Sequence, residues 1–72
     1  MGKAPPCSRA ELIRKLKALG FEGPYPGGSH SYMKRGSYRQ TIPSPHGSKI
    51  DSVLIREILK QAGISDADWL NA

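Results

Sequence analysis

Proline and glycine partition this chain. Its six prolines fall in three pairs: Pro5 with Pro6, Pro24 with Pro26, and Pro43 with Pro45. Proline lacks a backbone N–H and fixes φ, so no helix interior or central strand runs through these points. The first stretch after a break opens with Ser8-Arg9-Ala10-Glu11. That is a capping box: the Ser8 hydroxyl accepts from the Glu11 backbone N–H, and Glu11 reaches back to the cap. Leu12, Ile13, Leu16 and Leu19 follow at helical spacing, and Gly20 supplies the stop. Arg14, Lys15 and Lys17 form the solvated face of this helix, with Glu11 paired to Lys15. Phe21 packs against it.

The segment FEGPYPGG, residues 21 to 28, admits only an irregular edge strand. Residues 30–34 and 38–42 read as two strands joined tightly through Arg35-Gly36-Ser37. Alternation sets their faces. With Ile42 and Met33 inward, Tyr38 and Gln40 also point inward. His30, Tyr32, Lys34, Arg39 and Thr41 then point outward. This register asks a polar side chain, Gln40, to face the core. Residues 43 to 49, PSPHGSK, form a loop. A second helix starts near Asp51 or Ser52, either a good N-cap. It carries Leu54, Ile55, Ile58, Leu59 and Ala62 and ends at Gly63. Ser65-Asp66-Ala67-Asp68 looks like a further helix start, and Trp69 and Leu70 turn back onto the body.

Two helices can cover one face of a three-stranded antiparallel sheet. The expected fold is therefore α+β, a two-layer α-β-β-β-α arrangement with a short C-terminal helical turn. Residues 1–7 are expected as a flexible tail and residues 8–72 as a single domain. With 72 residues the core must be small. No repeat or second domain is visible.

The formal charge of +5 is large for this size and points to an acidic partner: nucleic acid, an anionic surface or an acidic protein. One cysteine permits no internal disulfide, which favours a cytoplasmic setting. There is neither a signal-peptide core nor a span of about 20 apolar residues, so no membrane role is expected.

The outward cluster has chemistry of its own. Lys34 and Arg39 attract phosphates without choosing among them. Tyr32 offers a ring for an unpaired base, the way single-stranded RNA is commonly held. Histidine exchanges a proton near neutral pH. Neutral, it can accept the proton of a ribose 2′-OH; charged, it can protonate a leaving oxygen. Gly27 and Gly28 let backbone approach closely just before His30. Many inert surfaces contain the same residue types, so a turn histidine beside a solvated patch is the competing reading.

His46, in the Pro/Gly loop, is either a turn residue or an auxiliary group reaching the same site. Two histidines and Cys7 lack the close spacing of a zinc site, so no metal is expected. No glycine loop for a nucleotide cofactor is present, so no small-molecule cofactor is expected either. Cys7 lies in the expected tail and makes a poor nucleophile, and Asp51 serves better as a cap than as a catalytic acid.

Three stretches, GFEGPYPGGSHSYMKRG, YRQTIPSPHGSKI and LIREILKQAGIS, together resemble the HicA family of bacterial toxins. The resemblance spans about residues 8 to 65. It implies a double-stranded-RNA-binding-domain-like fold and endoribonucleolytic cleavage of mRNA that limits translation. It also implies that His30, the histidine of Gly28-Ser29-His30, is catalytic, and that a HicB-type antitoxin covers the site. Two positions depart from the family pattern. Ser31 stands where many members carry a second histidine, and Pro43-Ser44-Pro45-His46 is one residue longer than the usual Pro-x-His. The residues expected to contact RNA are Gly28, Ser29, Tyr32, Lys34 and Arg39. The alternative is a basic RNA-binding or protein-interaction module without catalysis, a decayed toxin. Formation of shortened RNA products separates the two.

Overall fold

A computed structural model describes residues 4–44, 47 and 49–72. The elements run α1 (Arg9–Ala18), β1 (Glu22–Tyr25), β2 (Tyr32–Arg35), β3 (Tyr38–Thr41), α2 (Ser52–Ala62) and α3 (Asp66–Asn71). The sheet is antiparallel with strand order β1-β2-β3. This is the α-β-β-β-α layering expected from the alternation of periods. Among the described residues no helix is long and apolar enough to cross a membrane.

Both long helices are stopped by glycine and started by a side-chain cap. Ser8 Oγ accepts from Glu11 N at 3.1 Å. The other half of the expected capping box does not form. Glu11 instead binds Arg14, whose planar fork fits a carboxylate one turn away better than a backbone N–H does. The hydrogen bond from Arg14 holds the Glu11 carboxyl below the usual range. The expected Glu11–Lys15 pair is likewise absent. Lys15 Nζ donates to the Trp69 carbonyl at 2.8 Å and lies 5.0 Å from the centre of its ring. At the other end Gly20 adopts φ 97°, and Gly63, the α2 cap, φ 69°. Asp51, rather than Ser52, is the N-cap of α2 and accepts from Val53 N.

The core lies between the helices and one sheet face. Leu12 and Leu16 of α1, Met33 and Ile42 from the sheet side, and Ile55 of α2 are fully buried. Each such side chain stabilises the fold by about 2 kcal/mol. Phe21, Ile50, Ile58 and Leu59 extend the cluster. Trp69 is buried and pins α3, a helix too short to stand alone. Two expected core residues face outward instead: Leu54, 41 % exposed, and Leu70, 57 % exposed. Gln40 is buried as the register demanded, and its amide is satisfied. The Tyr38 hydroxyl donates to its Oε1, and its Nε2 donates to the Thr41 carbonyl at 3.0 Å.

The strands differ from expectation in detail. Arg35 belongs to β2, so the hairpin turn is only Gly36-Ser37, with Gly36 at φ 61°. His30 is not on the strand. Its backbone N–H donates to the Gly27 carbonyl at 3.3 Å, closing a turn, and β2 begins two residues later. The segment from Ala4 to Cys7, expected as part of a tail, is held to the body at its two ends, with Pro5 and Pro6 exposed between them. Ala4 is buried, and Cys7 exchanges two backbone hydrogen bonds with Ile50 just before the α2 N-cap, an isolated antiparallel bridge that satisfies backbone groups of both residues. Partial burial pushes the Cys7 thiol pKa up.

Candidate nucleic-acid interface

The open sheet face is built in two rows across the three strands. Pairing places Glu22, Lys34 and Arg39 in one row, and Tyr25, Tyr32 and Thr41 in the next. Lys34 stands directly opposite Arg39, a like-charge pair that costs stability in a bare sheet. Arg39 leans away along the diagonal. Its guanidinium carbon lies 4.2 Å from the centre of the Tyr32 ring. A guanidinium lying on an aromatic face keeps its edge N–H donors free for a phosphate.

Tyr32 is therefore a platform rather than a bare stacking surface. Arg39 covers it, and the Tyr25 ring stands 5.6 Å away, tilted by 40°. Tyr25 was missed in the sequence because Pro24 and Pro26 hide its strand. The chain bulges between Glu22 and Tyr25, and this brings the ring beside Tyr32. Gly23 makes the bulge possible at φ 118°, where an added Cβ would sit 3.1 Å from both Tyr25 N and the Tyr32 carbonyl oxygen. Partial desolvation, with the Glu22 carboxylate next in importance, holds the Tyr25 hydroxyl above the usual phenol range. That hydroxyl donates to Glu22 Oε1 at 3.4 Å. Among the described residues Glu22 is the one acid in these two rows, and sequence alternation did not place it there.

The turn before β2 presents His30 to solvent at the rim. Gly28 takes φ 64° in that turn, with open space where a side chain would be. Gly27 has a different duty: a Cβ there would lie 2.7 Å from Tyr32 Cδ1, so its bareness seats the turn against the ring. A cleft of about 280 Å³ gathers Gly27, Ser29, His30, Tyr32, Arg39 and Thr41. Gly27, Ser29, His30, Tyr32, Arg39 and Thr41, all singled out in the sequence, thus share one hollow. Gly28 shapes its wall, and Lys34 lies next to Arg39 outside it. His46 lies outside the described residues. A second cleft of about 360 Å³ lies between β3 and α2 and shares His30 and Thr41 with the first. Among the described residues no three His, Cys, Asp or Glu side chains come together.

The fold and site together define a class: a small two-layer domain with its helices on one sheet face and a basic, aromatic, histidine-rimmed patch on the other. The family model described as the HicA toxin of bacterial toxin–antitoxin systems matches residues 9–64, and the chain belongs to that family. The match runs from the start of α1 to just past α2 and takes in the whole open face. Neither the curated proteins nor the solved structures gave a match. The protein is thus a toxin of the toxin–antitoxin kind, whose partner is an antitoxin.

Proposed function

We propose that this toxin is an endoribonuclease that cleaves single-stranded mRNA in the cytoplasm without a metal and so inhibits translation, with His30 as its acid–base group. The observation that carries this reading is the position of His30: solvent-exposed, at the rim of the hollow that holds the Arg39–Tyr32 stack. In such a reaction the neutral imidazole takes the proton from a ribose 2′-OH. The 2′ oxygen attacks the adjacent phosphorus, and the P–O5′ bond breaks. The imidazolium returns the proton to the departing 5′ oxygen. A 2′,3′-cyclic phosphate and a 5′-hydroxyl end result. Lys34 and Arg39 hold the phosphate and offset its growing charge. Gly28 and Ser29 border the backbone of the RNA, and the Tyr32 platform sets the height at which a base rests. His46 is an auxiliary group at most. A HicB-type antitoxin silences the toxin by covering this face.

A second reading, a binding module that has lost catalysis, has one observation in its favour. Ser31 stands where the family pattern often has a second histidine, so His30 must both accept and return the proton. One experiment separates the two. Purified protein is incubated with a long single-stranded RNA in EDTA, wild type beside His30→Ala, and read on a denaturing gel. Fragments from wild type alone are expected. Intact RNA in both lanes, from folded protein, would leave the binding module. Fragments in both lanes would remove His30 from the chemistry.

A further inference from the structure

The cleft between β3 and α2 differs in chemistry from the sheet-face hollow beside it. Leu54 and Ile58 supply an apolar floor, and Glu57 and Gln61 a polar rim. Among the described residues the lining contains a carboxylate and neither lysine nor arginine. A phosphate is repelled there, whereas the flat, neutral ring of a base, apolar on its faces and polar at its edge, is suited to it. The two clefts share His30 and Thr41 as a common wall. The phosphate-binding bases Lys34 and Arg39 lie on the sheet side of that wall. Glu57 forms no ion pair among the described residues, so its carboxylate is available to a ligand.

We propose that this cleft is a base-reading subsite: a strand of RNA crossing His30 rests one nucleotide on the Arg39–Tyr32 stack and inserts the next base between β3 and α2, where Glu57 and Gln61 read its edge. This rests on the RNA reading given above. The carboxylate only accepts hydrogen bonds, so where it meets the 4-substituent of a pyrimidine it favours an amino group over an oxygen. Cytosine offers its N4 amino group where uracil offers an oxygen. The two rings are otherwise alike in size and stack similarly on the Arg39–Tyr32 side, so the pair isolates the contribution of Glu57. The exposed α2 position of Leu54, anomalous for a core residue, is accounted for as the floor of this pocket.

The test is binding of the full chain to 2′-O-methyl hexacytidylate and hexauridylate, read by fluorescence anisotropy. The blocked 2′ oxygen prevents cleavage, so the readout does not depend on catalysis. Wild type is expected to bind the cytidylate about five- to tenfold more tightly, the discrimination of one charge-assisted hydrogen bond at a partly solvated site. Glu57→Gln is expected to bring the ratio close to one, because an amide can serve either base. The ratio is the readout, since removing a carboxylate raises affinity for any polyanion. Tyr32→Ala is expected to weaken both oligonucleotides and keep the ratio. Equal binding by wild type, or a preference unchanged in Glu57→Gln, would overturn the assignment and leave the cleft to the antitoxin. A preference lost with Glu57 in a protein that never cuts RNA would sustain the subsite and sink the nuclease. No binding of either oligonucleotide would sink both.

Discussion

At the scale of single residues, the site depends on two neighbouring glycines with opposite duties. Gly28 has a left-handed backbone and open space around it; Gly27 has a permissive backbone and a tyrosine ring where a Cβ would go. Alanine should therefore act differently at each. In Gly27→Ala the new carbon, 2.7 Å from Tyr32 Cδ1, must displace the ring. The Arg39 stack moves with it, and the expected result is a several-fold loss of RNA affinity at nearly unchanged stability. In Gly28→Ala nothing is displaced, but φ 64° costs an L-residue about 1 kcal/mol. Stability should fall by that amount, seen as a lower urea midpoint. Paired urea titrations and RNA-binding isotherms check both variants. Equal behaviour of the two would mean that seating the turn against Tyr32 is not what Gly27 does.

At the scale of elements, the two long helices were legible because two independent signals agreed: apolar spacing of 3.6 and a glycine just past each C-terminal end. The strand face was legible from alternation, which put Arg39 and Tyr32 on one side and Gln40 on the other. Legibility failed where backbone geometry outranked pattern. Prolines masked β1, so Tyr25 and Glu22 had no register. His30 has strand-like alternation, but its N–H is spent in the Gly27 turn. Arg35 is the clearest case. Read as a turn base, it is a tie between layers: it donates to the Leu19 carbonyl at 3.2 Å and the Ala62 carbonyl at 3.1 Å, and lies 4.7 Å from the centre of the Phe21 ring. It thus satisfies the C-terminal ends of both α1 and α2, where a cation also suits the helix dipoles. No spacing rule in the sequence reports such a long-range contact. Arg35→Lys cannot make both bonds and stack at once. It should cost about 1 kcal/mol in urea unfolding while leaving RNA affinity within error. A loss of affinity without loss of stability would instead make Arg35 part of the binding face.

For the whole molecule, the question is how much of the +5 charge faces the ligand. Two of the three bases first read as a solvated face of α1 are occupied: Arg14 by Glu11, Lys15 by the Trp69 carbonyl and ring. Arg35 is committed to helix ends. On the sheet face Lys34 and Arg39 stay exposed in adjacent registered positions. If that face alone meets single-stranded RNA, the two release counterions together. The logarithm of affinity should then fall with the logarithm of salt at a slope of about −1.4; if the entire excess of five charges acted, the slope would be about −3.5. Lys34→Ala and Arg39→Ala should each reduce the steepness by about 0.7. Lys17→Ala, exposed on α1 in the other layer, should leave it unchanged. The measurement is RNA affinity from low to physiological salt for the four proteins. A slope near −3.5 that Lys17→Ala relaxes as much as Lys34→Ala would mean diffuse attraction by the whole surface, and the orientation of RNA across His30 would then owe nothing to the paired bases. A shallow slope sensitive only to Lys34 and Arg39 would make the two-row strand face the element that aligns the phosphate with the histidine.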